Sequence, residues 1–191
     1  MDAGQIGSHS EIRFHDVIVP THYVLGEVDE GFKYAQVRLA PARLTHCMRW
    51  LGIARRAQDY ALDRASARSA FGSKLAGLGM VQQQLADSEI DIECSRAIIA
   101  RCAYEIDVAG VRAGRLSSIA KVYVSEAVGR VVDRAVQICG ALGISEDSLL
   151  SRYYREVRAF RIYDGSSETH RWSVAKSAVR ARERATTGSV T

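Results

Sequence analysis

Eight residues of one stretch, Val81, Leu85, Ser88, Ile92, Ser95, Ile99, Cys102 and Ile106, recur at alternating steps of four and three. A strand brings a side chain back to the same face every two residues and an α-helix every 3.6, so only a helix puts all eight on one line. The stretch is therefore expected to form one helix from about Leu78 to Ala109. The serines in its seam leave room for a neighbouring backbone to approach closely. Gly110 and Gly114 are expected to end it.

The same period continues on both sides. Upstream, Leu44, Met48, Leu51, Ala54, Ala61 and Ala65 give the apolar side of a helix expected from about Gly31 to Arg68, with Pro41 kinking or dividing it. Gly72, Gly77 and Gly79 mark the loop that follows. Downstream, Val124, Val128, Val131, Ala135, Ile138 and Leu142 define a helix from about Ser117 to Leu142, and Ile119, Val122, Val132 and Cys139 widen its stripe enough to face several partners. A short helix is expected from about Ser148 to Ala159. A last one, from about Ser167 to Arg184, takes its apolar periodicity from Trp172, Ala175 and Val179. Long helices with short connections make this an all-α chain, an antiparallel helical bundle over residues 31–185. Ahead of it, Glu11 to Val19 alternates apolar and polar residues up to Pro20 and reads as a short strand, a β remnant that needs a sheet this chain does not contain. Residues 186–191 are expected to be a frayed, disordered tail.

Composition excludes several classes of function. With 47% hydrophobic and 25% charged residues and only two prolines, the chain is not a disordered segment. Its net charge of +4 comes from arginines scattered along helices, which argues against nucleic acid as the partner. No apolar run approaches the roughly 20 residues that span a bilayer, and Met1 to Ser10 has no signal-peptide character. Cys47, Cys94, Cys102 and Cys139 form no C-x-x-C pair and fit helical patterns as small buried hydrophobes, so they are read as reduced core residues of a cytoplasmic protein. The chain has no Glu-x-x-His pair for a di-metal bundle, and no metal site is expected. Walker, dinucleotide-binding and nucleophile-elbow motifs are absent as well.

Chemistry is concentrated in Arg161-Ile162-Tyr163-Asp164-Gly165-Ser166-Ser167-Glu168-Thr169-His170-Arg171. One carboxylate stands between an apolar approach and a Gly-Ser-Ser turn, with Ser166 or Ser167 as N-cap of the last helix. Asp164 is then either a residue that holds the helix start or a general base in an apolar recess, beside free backbone N–H groups.

That run resembles the I-Y-E/D-G-[TSP]-x-E/Q-x-x-R segment of acyl-CoA dehydrogenases. Arg68-Ser69-Ala70-Phe71-Gly72 is similar to the family's R-x-x-F-G, and Gln137-Ile138-Cys139-Gly140-Ala141-Leu142-Gly143 to its Q-x-x-G-G-x-G. Val19-Pro20, Leu25-Gly26 and Gly31-Phe32 resemble its V-P, L-G and G-F entry, in the same order. Aspartate in the base position looks most like the branch that includes human members ten and eleven. The resemblance covers the C-terminal half of the family's length, which makes residues 1–30 a remnant of its central β-barrel domain.

The resemblance implies FAD as cofactor and an acyl-CoA as substrate, with Asp164 as the catalytic base that removes the α-proton while the β-hydride goes to the flavin. Arg43, Tyr163 and Gly165 are implied at the substrate. Arg68, Phe71, Gln137, Gly140, Ala141, Ser166 and Glu168 are implied at FAD. Ala42 stands where some family members carry the base instead, and alanine cannot take a proton. The usual second glycine of the Q-x-x-G-G motif is Ala141 here, which narrows backbone approach to the cofactor. Implied partners are an electron-transfer flavoprotein and a second copy of the chain, in a homodimer or tetramer. This chain alone is expected to bind FAD poorly. Two alternatives are kept: a nitroalkane-oxidase-like flavoenzyme, and a non-catalytic helical assembly module.

Overall fold

The computed structural model describes residues 10–109 and 114–187. The helix end expected at Gly110 and the tail beyond residue 187 lie outside the described residues. The helices are α1 (Gly31–Ala67), α2 (Gly79–Ala109), α3 (Gly114–Cys139), α4 (Ala141–Ile144), α5 (Leu150–Phe160) and α6 (Ser167–Thr187), and a two-stranded hairpin, β1 (Ser69–Ala70) and β2 (Ser73–Lys74), follows α1. The helical bundle predicted from periodicity is the fold observed. The chain divides into a unit ending at Arg38 and a unit beginning at Leu39.

In the first unit the strand expected over Glu11 to Val19 does not form. Its apolar residues Ile12, Phe14, Val17, Ile18 and Val19 are all exposed, and the one ladder among the described residues joins β1 to β2. Alternation prepares a strand, but pairing makes one, and no partner is present among the described residues. Gly26 at φ +77° lets the chain pass against the Tyr34 ring, which an added Cβ would meet at 2.3 Å.

In the second unit, side-chain pairs fix the direction of each helix. Gln58 donates to the Leu85 carbonyl at 3.0 Å and Arg55 lies 3.2 Å from Glu89, so α2 runs back along α1. Asp91 takes both Arg130, at 2.5 Å, and Arg134, at 2.8 Å, across the α2–α3 contact. Ser117 donates to the Ala40 carbonyl and Cys139 to that of Tyr60, which makes α3 parallel to α1. Small buried residues on α1, Ala54, Ala57, Ala61 and Ala65, permit this close approach. The α2 seam is buried as expected at Ser88, Ile92, Ser95, Ile99 and Cys102. Its serines return their hydroxyls to carbonyls one turn back, Ser88 to Gln84 at 2.8 Å and Ser95 to Asp91 at 2.6 Å, so neither hydroxyl is left unpaired at the contact. On α3 the stripe from Val124 to Ile138 is buried and the third helix ends at Cys139 rather than Leu142, because Gly140 turns the chain at φ +63° into α4.

Several expectations are corrected. Of the two effects expected of Pro41, division does not occur: helix α1 runs through it undivided. Met48, Trp172 and Val179 are exposed, and so is Cys94, whereas the other three cysteines are buried. For Trp172 and Val179 the reason is that only the start of α6, Ser167 and His170, is buried. Further along that helix Val174 is half-buried and the Trp172 ring is partly covered by the Lys176 ammonium, 4.6 Å from its centroid.

Candidate active site

Helix α5 stops at Phe160, and the N–H groups of Ile162 and Tyr163 both donate to the Ala159 carbonyl. The chain then reverses through Asp164 at φ +54° and Gly165 at φ +95° before α6 begins. Asp tolerates the left-handed region better than most residues with a Cβ, yet it stays there only if its surroundings hold it. Ser166 caps α6 by accepting the Thr169 N–H at 3.3 Å.

The holding groups come from α1, α3 and α6. Lys121, fully buried on α3, donates from Nζ to the Phe160 carbonyl at 2.8 Å and to the Gly165 carbonyl at 2.7 Å. Burial lowers its pKa to about 8. Arg43 Nε donates to the Asp164 carbonyl at 3.1 Å, and the same oxygen lies 3.0 Å from His170 Nε2. A carbonyl only accepts, so His170 carries its proton on Nε2, leaving Nδ1 to accept the Ser118 hydroxyl at 3.0 Å. Burial holds His170 below its ordinary pKa, in keeping with that neutral tautomer. Burial also pulls Arg43 down, with the Asp164 charge acting the other way. Every carbonyl from Asp164 to Gly165, and the one that ends α5, is thus clamped by a side chain distant in sequence.

The Asp164 side chain sits beside an aromatic cluster. Tyr163 receives the Trp50 indole N–H on its hydroxyl, and burial pushes its phenol pKa up. Phe160, fully buried, stacks on Trp50 with ring centroids 6.1 Å apart and tilts against Tyr163 at 5.6 Å. His46 meets Tyr163 edge-on at 5.3 Å and brings Nε2 to 3.1 Å from Asp164 Oδ2. The N–H of Asp164 is not spent in the turn's own hydrogen bonds. A carboxylate against aromatic rings, with a free N–H beside it, suits removal of a proton from carbon next to a carbonyl whose oxygen gains charge.

Of the residues singled out from sequence, Asp164, Arg43, Tyr163, Gly165 and Ser166 are gathered at this turn. Glu168 follows in the first turn of α6, exposed, its carboxyl held below the usual range by its own backbone N–H and the Ser166 hydroxyl. Phe71 and Gln137 form a second cluster: they line a groove of about 520 Å³ with Leu75, Val81, Gln84 and Ile138. Phe71 is no core residue. It is 92% exposed at the hairpin tip, at φ +54°, and Arg68 lies between the end of α1 and that hairpin. Gly140 and Ala141 lead into α4, and a Cβ on Gly140 would meet nothing within 4 Å. The sequence reading missed His46, Lys121, His170 and Ser118. Lys121 was visible in principle, since it falls one turn before Val124 in the buried register of α3; His46 lies one turn after Arg43 on the same face of α1.

A family model, "Acyl-CoA dehydrogenase, C-terminal domain", matches residues 29–179. Over 179 residues the chain is 42% identical to the probable acyl-CoA dehydrogenase FadE2 of Mycobacterium tuberculosis, covering 93% of this chain and 44% of that protein. It is 38% identical over 187 residues to acyl-CoA dehydrogenase family member 11 of Homo sapiens, 96% of this chain and 24% of the other. The fold is similar to that of butyryl-CoA dehydrogenase from Megasphaera elsdenii, with TM-score 0.83 and 31% identity over 87% of this chain and 43% of that one. A chain from a structure of the electron transferring flavoprotein of Acidaminococcus fermentans is similar as well, with TM-score 0.83, 29% identity, and coverage of 87% and 44%. The chain spans less than half the length of each of these.

Proposed function

Since the chain belongs to the acyl-CoA dehydrogenase family, by its C-terminal domain, we propose that it contributes the base and part of the flavin site of an FAD-dependent acyl-CoA dehydrogenase. The observation that carries this reading is the clamped turn, which presents one carboxylate beside the aromatic cluster of Trp50, Phe160 and Tyr163.

Asp164 takes the α-proton of an acyl thioester. The C–H bond breaks, an O–H bond forms on the carboxylate, and the electron pair moves toward the thioester carbonyl. The Asp164 N–H donates to that oxygen as its charge grows. Arg43 and His170 hold the Asp164 carbonyl, so base and N–H stay in one fixed relation to each other. An Asp is one methylene shorter than a Glu, roughly 1.5 Å less reach, so the thioester has to seat closer to the backbone here. FAD, when bound, supplies the acceptor for the β-hydride.

The second cluster fits such a cofactor. Phe71 offers an uncovered ring, Gln137 a polar group on the same groove, and Arg68 a guanidinium suited to a diphosphate. The open backbone at Gly140 lets a ligand come close. A ring as exposed as Phe71 also suits a site completed by a second copy of the chain, in a homodimer or tetramer. An electron-transfer flavoprotein is the proposed acceptor of the electrons, a reading supported by the similar chain from Acidaminococcus fermentans.

The test is anaerobic mixing of saturated acyl-CoAs of several lengths with flavin-loaded protein in which this chain is extended to the full length of its relatives. Bleaching of the oxidised flavin band with a stoichiometric 2-enoyl thioester is expected. A flavin that stays oxidised with every acyl-CoA, but bleaches with a nitroalkane, would replace this reading with the nitroalkane-oxidase-like one.

A further inference from the structure

The clamps on the Asp164 turn all act on backbone carbonyls, and none of them fixes the carboxylate itself. Rotation about its side-chain torsions would leave those clamps intact while moving both oxygens. Among the described residues one charged or titratable side chain comes within ion-pair distance of the carboxylate: His46 Nε2, 3.1 Å from Oδ2. That oxygen is sealed from solvent and takes no aligned hydrogen bond, although the Asp164 side chain as a whole is 24% exposed. The opening therefore belongs to the rest of the side chain.

The His46 ring is itself held. It lies edge-on to Tyr163 at 5.3 Å and tilted toward Phe160 at 6.4 Å, on the turn of α1 that follows Arg43. We infer that His46 is the positioning residue of the base: its Nε2–H engages Oδ2 and leaves Oδ1 as the oxygen that takes the substrate proton. This inference rests on Asp164 being that base. A carboxylate oxygen only accepts, so for the pair to engage Nε2 has to bear the hydrogen, as it does in the charged ring and in one of the two neutral tautomers. Catalytic hydrogen bonds are often poorly aligned without substrate and tighten when it binds, so the 3.1 Å contact lacking alignment is what such a pair looks like at rest. A short aspartate, set back from the substrate by one methylene, has the most to lose from a wandering carboxylate, because small displacements of a reacting group cost rate steeply.

The test compares His46→Leu with His46→Gln in flavin-loaded protein, reading solvent-deuterium exchange at the α-carbon of an acyl-CoA. In His46→Leu the exchange rate is expected to fall about 10- to 100-fold, with the affinity for a non-reacting acyl-CoA analogue and the flavin spectrum unchanged. His46→Gln, which keeps an N–H donor, is expected to recover most of that loss. Equal rates in His46→Leu and the parent, or no recovery with glutamine, overturn the inference. A second measurement needs neither flavin nor turnover: ¹⁵N NMR of the histidine rings in the chain alone, with and without Asp164→Asn. The His46 Nε2 signal is expected to move, and an unmoved signal overturns the pairing. If Asp164→Asn keeps full α-exchange, the base assignment fails instead, a result these two measurements tell apart.

Discussion

Lys121 gives the most quantitative prediction about the turn. Replacing it with methionine keeps an unbranched side chain, one atom shorter, but leaves the Phe160 and Gly165 carbonyls without their donor. One orphaned buried acceptor and one part-buried acceptor cost at most about 2–6 kcal/mol together, offset in part near neutral pH because a buried ammonium is removed with them. Its pH dependence isolates the lysine. With a folded pKa of about 8 against an ordinary 10.5, the unfolded chain binds more protons between those values. The stability that Lys121 contributes is therefore greatest above the unfolded pKa, and it is lost as pH falls through the folded one. From pH 7 to pH 9 the stability of the parent minus that of Lys121→Met should rise by about 1.4 kcal/mol, the worth of one pKa unit. Taking the difference removes what groups that do not interact with Lys121 contribute; the Cys47 thiol, which does interact with it, is pushed up to about 12 chiefly by burial and so does not ionise over this range. Denaturant unfolding of both proteins at the two pH values, analysed by linear extrapolation, measures it. A difference that is flat or falls with pH would refute the buried, carbonyl-bound ammonium.

Two further outcomes follow from the same geometry. Gly165→Ala places a Cβ 2.7 Å from His170 Nε2 at φ +95°, so a loss of about 1–3 kcal/mol is expected, read as a lowered Tm. Phe71→Ala, at a ring exposed on the hairpin tip, should change folding stability by less than about 0.5 kcal/mol and yet weaken FAD binding; flavin titration followed by fluorescence separates the two effects.

How much of this was legible depended on whether the deciding partner was local. The α2 seam was, because Ile92, Ile99 and Cys102 state their period within a few turns. The hairpin was not: Phe71 at φ +54° and Gly72 at φ +79° take the left-handed conformations of a two-residue turn, and phenylalanine is a poor signal where Asn or Asp usually announces it. The strand over Glu11 to Val19 had the right alternation, but pairing is decided elsewhere. Trp172 and Val179 kept helical spacing on a helix whose burial stops after His170. At the site, the carboxylate and its glycine were readable from the motif around Asp164. The clamps were not, because Lys121 and Arg43 reach that turn from 44 and 121 residues away, and no local pattern encodes such a contact.

The assignment of Asp164 is tested most directly by exchange at the α-carbon, since that reaction isolates proton removal from hydride transfer. Flavin-loaded protein with an acyl-CoA in deuterium oxide should incorporate deuterium there, and Asp164→Asn should keep its flavin and lose the exchange by at least about 1,000-fold, the upper part of the range for a general base. Exchange that persists in Asp164→Asn at the parent rate would contradict it.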